Sequence, residues 1–103
     1  MGNLGFPFRP YHPGELLKEE LECRHISQKS LVKKIGVPYT AFNEILNGKR
    51  PVSSDLALLL EASLGVSAGL LVRMQTDYNL QVATQDKTLS KRIAKIKQMA
   101  AIF

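Results

Sequence analysis

The stretch from Tyr39 to Arg50 concentrates side chains that can read and hold a polyanion. Thr40 and Asn43 stand three residues apart, so on a helix they share one face, and Tyr39 lies beside them. Their hydroxyl and amide groups pair with base edges as donors and acceptors. Asn47, Lys49 and Arg50 follow directly, and an amide beside two cations suits phosphate oxygens. Gln28 and Lys29, upstream, repeat the same chemistry.

Bond-making chemistry has no comparable support. Cys23 is the sole cysteine, which excludes an internal disulfide and a thiolate zinc cluster. His12 and His25 lack metal-ligand spacing, and neither a nucleophile elbow nor a glycine-rich phosphate loop is present. We therefore expect no enzyme, no metal and no cofactor. His12 reads as part of a helix-entry turn, His25 as a loop residue, and Cys23 as a half-buried small side chain.

The elements that must position the polar set follow from periodicity and punctuation. Pro7, Pro10 and Pro13 predict an extended arm over residues 1–14, whose Phe6, Phe8 and Tyr11 pack back onto the helices. Leu16, Leu17 and Leu21 predict a first helix from Glu15 to Cys23. Ser27 suits the N-cap of a second, Gln28 to Ile35, with Leu31, Val32 and Ile35 inside and Gly36 as its stop. Pro38 opens a third through Leu46, burying Ala41, Phe42, Ile45 and Leu46 and leaving Tyr39, Thr40 and Asn43 outside.

Ser53 or Ser54 caps a fourth helix, Asp55 to Leu64, whose Leu56, Leu58, Leu59, Leu60 and Leu64 predict a central position. A fifth runs from Ala68 to about Tyr78, with Leu70, Leu71, Met74 and Tyr78 as buried candidates. Leu89, Ile93, Ile96, Ala100 and Phe103 then repeat at helical spacing among Lys91, Arg92, Lys95 and Lys97. No strand-like alternation occurs, so the class is all-α. Residues 15–80 form the expected bundle and 81–103 a basic amphipathic tail.

With 103 residues the chain has one core, and its net charge of +5 favours a polyanionic partner. That charge is segregated. Residues 24–50 carry a net +5 and residues 87–103 another +5, while 15–22 and 51–86 are each net −3. No basic, apolar leader and no membrane-length apolar run is found, which predicts a cytoplasmic protein without membrane contact.

Two short helices joined at a glycine, Gln28 to Leu46, read as a helix-turn-helix, with the second helix able to enter a major groove. The run from Ser27 to Arg50 resembles the XRE (Cro-type, lambda-repressor-like) DNA-binding domain. His12-Pro13-Gly14-Glu15, Asn47-Gly48-Lys49-Arg50-Pro51-Val52, and Gln75 with Tyr78-Asn79-Leu80 are more specific, and resemble HigA-type (VapI-like) antitoxins over roughly residues 10 to 82. One departure is Ala68-Gly69-Leu70-Leu71, where that family carries a Pro-Glu-Phe-Trp-like run.

The resemblance implies a lambda-repressor-like bundle of five helices, here with an additional C-terminal helix. It also implies a homodimer on double-stranded operator DNA and a RelE/HigB-like mRNA-cleaving toxin as partner. By position, Gln28 would hold a phosphate and buttress the reading helix, and Lys29 would sit beside it. Tyr39, Thr40 and Asn43 would face bases, and Asn47, Lys49 and Arg50 would grip backbone. Tyr39 could instead cover the turn. A stand-alone XRE regulator and a protein-interaction bundle are the competing functions. The tail's apolar face must be buried, on its own bundle or on a dimer mate.

Overall fold

A computed structural model describes residues 9–100. Phe6, Phe8 and Phe103 lie outside the described residues. The described residues form six helices: α1 (Pro13–Cys23), α2 (Gln28–Ile35), α3 (Tyr39–Leu46), α4 (Ser54–Leu64), α5 (Ala68–Thr84) and α6 (Lys87–Met99). No strand occurs among them.

Starts and stops are set by local chemistry. The hydroxyls of Ser27, Ser53 and Ser67 accept from the backbone N–H three residues on, each at 3.1 Å, and so satisfy one orphan donor at the N-termini of α2, α4 and α5. Asp86 does the same for α6 through Leu89 N–H at 2.9 Å. Gly36 closes α2 at φ 74°, a left-handed conformation that a Cβ would penalise. Pro38 is the N-cap of α3 rather than its first helical residue.

Inside, α1 and α2 pack on α3, α4 packs on α2 and α5, and α5 also meets α1. Leu17, Phe42, Leu60 and Leu71 are fully buried where these elements converge, each contributing about 1.5–3 kcal/mol through removal of apolar surface from water. Around them lie Leu21, Leu31, Val32, Ile45 and Leu56. Arg24 donates to the Leu64 carbonyl at 2.6 Å, tying the end of α1 to the end of α4.

Several expectations are corrected. The helix expected from Glu15 starts at Pro13, because His12 caps it: the His12 ring accepts from Gly14 N–H at 2.9 Å. The α4 helix is central, yet only Leu56, Ala57, Leu60 and Leu64 point inward. Leu58 and Leu59 are on the opposite face, and Leu58 is 59% exposed. The fifth helix runs six residues past Tyr78, since nothing between Tyr78 and Thr84 breaks it, so the division expected at residue 80 falls within α5. Leu70 is exposed rather than buried, and so is Cys23.

The tail differs most. It is a helix, but no residue of α6 is buried; it meets α5 and leaves Ile93, Ile96 and Met99 exposed. Docking of its apolar face onto its own bundle is therefore overturned among the described residues. The shape agrees, at 56 × 23 × 22 Å.

Among the described glycines the closest approach is at Gly14, where a Cβ would collide with the backbone carbonyl of Ile45 near the end of α3. Neither side of that contact is a flexible side chain. Gly14→Ala should lower unfolding free energy by about 1–3 kcal/mol through overpacking. A urea midpoint equal to that of the parent chain would show that α1 and α3 do not meet in this way.

Candidate nucleic-acid interface

Of the polar residues singled out in the sequence, Gln28, Asn43 and Asn47 are joined by hydrogen bonds, and Tyr39 lies beside Gln28 and Lys29. Ser27, by capping α2, places Gln28 at its first turn. Gly36 then turns the chain so that α3 crosses α2, and the Gln28 Oε1 accepts from the Asn43 Nδ2 at 3.0 Å. One turn further along α3, the Asn47 Nδ2 donates to the Asn43 backbone carbonyl at 2.9 Å and to its Oδ1 at 3.2 Å. Gln28, Asn43 and Asn47 thus form one hydrogen-bonded row. Asn43 is half-buried, not wholly outward as expected, because it bonds across to α2. It keeps one amide N–H and one oxygen lone pair free of these bonds.

Tyr39 and Thr40 project to solvent from the first turn of α3. Tyr39 borders a shallow cavity of about 480 Å³ with Ser27, Gln28 and Lys29, and so stands beside the N-terminus of α2. Lys49 is exposed, with its backbone N–H held by the Glu44 carbonyl at 2.8 Å. The guanidinium of Arg50 bonds Glu44 Oε1 at 2.7 and 2.9 Å. Both partners are solvent-accessible, so the pair is worth about 0–1 kcal/mol and a phosphate can displace it. Lys29 and Lys49 take part in no ion pair among the described residues. Arg24, counted with this basic block, is used internally by Glu20 and Leu64.

A glycine-closed α2 that buries Leu31 and Val32, followed by α3 with an exposed polar face, defines a helix-turn-helix protein. No family model matches the chain. It is 40% identical over 77 residues to Virulence-associated protein I of Dichelobacter nodosus, covering 74% of this chain and 71% of that protein. Among solved structures it is similar to an addiction module antidote protein of the HigA family from Coxiella burnetii, at TM-score 0.74 and 35% identity over 85% of this chain and 95% of that one. It is also similar to the Pseudomonas aeruginosa antitoxin HigA, solved with the higBA promoter, at TM-score 0.74 and 32% identity over 82% and 91%. The chain belongs to the HigA-type, Virulence-associated protein I-like family of helix-turn-helix antitoxins.

Two residues outside the expected site, Gln75 and His12, are buried beside its far end. Gln75 of α5 is buried, accepting from Val52 N–H and donating to Asn79 Oδ1, both at 2.9 Å, which fastens the segment after Arg50 to α5. Its type and position in the chain gave no local sign of that role, since Val52 is remote in sequence. His12 is only 3% exposed and stands edge-on to the Tyr78 ring, with centroids 4.8 Å apart.

Burial pushes the His12 pKa below the ordinary 6.5, against the opposing pull of the Arg50 carbonyl and of Glu15. The unfolded chain therefore binds this proton first as pH falls. Stability should be full above about pH 6.5 and decline below it, and the decline should flatten in His12→Asn. Denaturation midpoints across that range test the sign; a parent chain more stable at pH 5.5 than at 7.5 would contradict it.

Proposed function

We propose that this chain is an antitoxin that binds its own operator as a symmetric dimer, represses its operon and neutralises a RelE-like mRNA-cleaving toxin. The observation that carries the DNA part is the Gln28–Asn43–Asn47 row, which sets the amide of the reading helix beside exposed Tyr39, Thr40 and Lys49. Preset hydrogen-bonding groups lose little freedom on meeting base edges. The promoter-bound Pseudomonas aeruginosa HigA, which shares this fold, supports the same reading.

A dimer follows from specificity. One reading helix spans too few base pairs, and a two-fold protein matches an inverted repeat with half-sites about 34 Å apart. The tail fits this arrangement, since its apolar face is uncovered by its own bundle and its mate supplies the remaining surface. RelE-like toxins are expected to be basic, which suits the acidic segments 15–22 and 51–86 and not the +5 tail. The bundle then carries the DNA reading and the tail the pairing of subunits.

Co-purification with the product of the neighbouring gene, followed by a promoter shift, tests the whole reading. A specific shift without a captured partner would leave a stand-alone regulator; neither result would leave a protein-interaction bundle. Thr40→Ala and Asn43→Ala should each cost about 1–3 kcal/mol on the operator and relax preference at their own base pairs. Lys49→Ala and Arg50→Ala should weaken all sequences alike and reduce the salt slope by about one each. Equal loss on operator and random DNA for Asn43→Ala would remove it from base reading. Deleting residues 87–103 should weaken dimerisation while toxin binding stays measurable; a folded, dimeric truncation blind to toxin would reverse the assignment of the tail.

A further inference from the structure

His12 touches three parts of the molecule at once, and each contact uses a different part of its ring. Its Nδ1 accepts from Gly14 N–H at 2.9 Å, capping α1. Since that nitrogen is an acceptor, the proton of the neutral ring sits on Nε2, which faces the backbone carbonyl of Arg50. The ring edge meets Tyr78 of α5. The turn after α3 lies against the ring, so that a Cβ on Gly48 would stand 3.7 Å from its Cγ. A cap alone requires only the first of these.

Lys49 and Arg50 are exposed residues in a turn without secondary structure, and two cations on a loose turn would lose freedom on each phosphate contact. The buried ring restricts that turn from beneath, with Gly14 packed on Ile45 beside it. We infer that His12 is a positioning residue for DNA binding: through its Nε2–H and its ring face it holds the Asn47–Arg50 turn where Lys49 and Arg50 meet phosphate. This rests on the reading of those two side chains as phosphate contacts.

Two substitutions separate the cap from the turn. His12→Asn places an oxygen where Nδ1 accepts, and so keeps the cap, but it is too short to reach Arg50. His12→Gln places an amide N–H where Nε2 donates, but loses the cap. Operator and random-DNA affinities would be measured against salt concentration for the full-length parent, both variants and Lys49→Ala, with thermal unfolding alongside.

The two variants should differ in slope. His12→Asn loses the buried ring's packing and should melt below the parent, yet at a temperature where it is folded it should lose affinity equally for operator and random DNA, with a salt slope shallower by about one to two, as if phosphate contacts were removed. His12→Gln should also melt lower yet keep the parent slope, read at a temperature where it is folded. Parent-like slopes in both variants, or slopes that track melting temperature in both, would overturn the positioning role. Should His12→Asn fail to fold, a parent-like slope in folded His12→Gln supports the inference and a shallow one overturns it. A parent chain that shows no salt-dependent DNA binding would defeat the operator reading itself, a failure visible before any variant is compared.

Discussion

The backbone contact between Gly14 and Ile45 is the constraint on which the reading helix depends. Helices usually keep 8–10 Å between axes because side chains intervene. Here a missing Cβ lets the first turn of α1 press directly on the Ile45 carbonyl near the end of α3. The direction of α3 is thereby set at its C-terminal end by α1. At its N-terminal end it is set by α2, through the Gly36 turn and the bond from Asn43 to Gln28. A short helix of eight residues has little stability of its own, so two anchors determine where its exposed face points.

Charge follows the same division between what is held and what is offered. Arg9, Arg24 and Arg50 are engaged by Glu15, Glu20 and Glu44. The bidentate fork of arginine suits it to such local ties. Lys29, Lys33, Lys34 and Lys49 are left on the exposed side of the α2–α3 pair, outside these ion pairs. Cations without an internal partner give a long-range field that draws in a polyanion, while the paired arginines change partner only on contact. The +5 of residues 24–50 therefore overstates the charge free to act.

What could be read from the sequence was local. The serine caps, the Gly36 stop and the inward set of α3 each depend on residues within one or two turns, and they are found where spacing put them, except that Ala41 is only half-buried. The grouping of Gln28, Asn43 and Asn47 was legible for the same reason, since they lie on two adjacent helices joined by one turn. His12 was legible as the entry turn of α1, but its contact with the turn after α3 and the role of Gln75 were not, because each involves a partner far along the chain, Val52 in the case of Gln75. Leu58, Leu59 and Leu70 misled in the opposite sense: apolar type predicts burial, but a helix has one inward face and these side chains lie off it. The end of α5 was hidden because no glycine or proline marks it.

The exposed apolar surface bears on assembly. Leu80 and Val82 near the end of α5, with Ile93, Ile96 and Met99 of α6, are each at least two-fifths exposed, at the end of the molecule that extends away from the bundle. An isolated helix of thirteen residues is marginal in water, and α6 gains no buried side chain from its own bundle. Its five cations add mutual repulsion, which an apolar contact must offset. In the dimeric reading proposed above, a two-fold mate would present the same apolar stripe in reverse direction, so that each α6 would cover the other while its cations stay in solvent. The bundle holds its reading helix without that contact; the tail does not hold itself. In the operator-binding reading, subunit pairing and tail folding then become one equilibrium, and the second reading helix is supplied only when the tail is ordered.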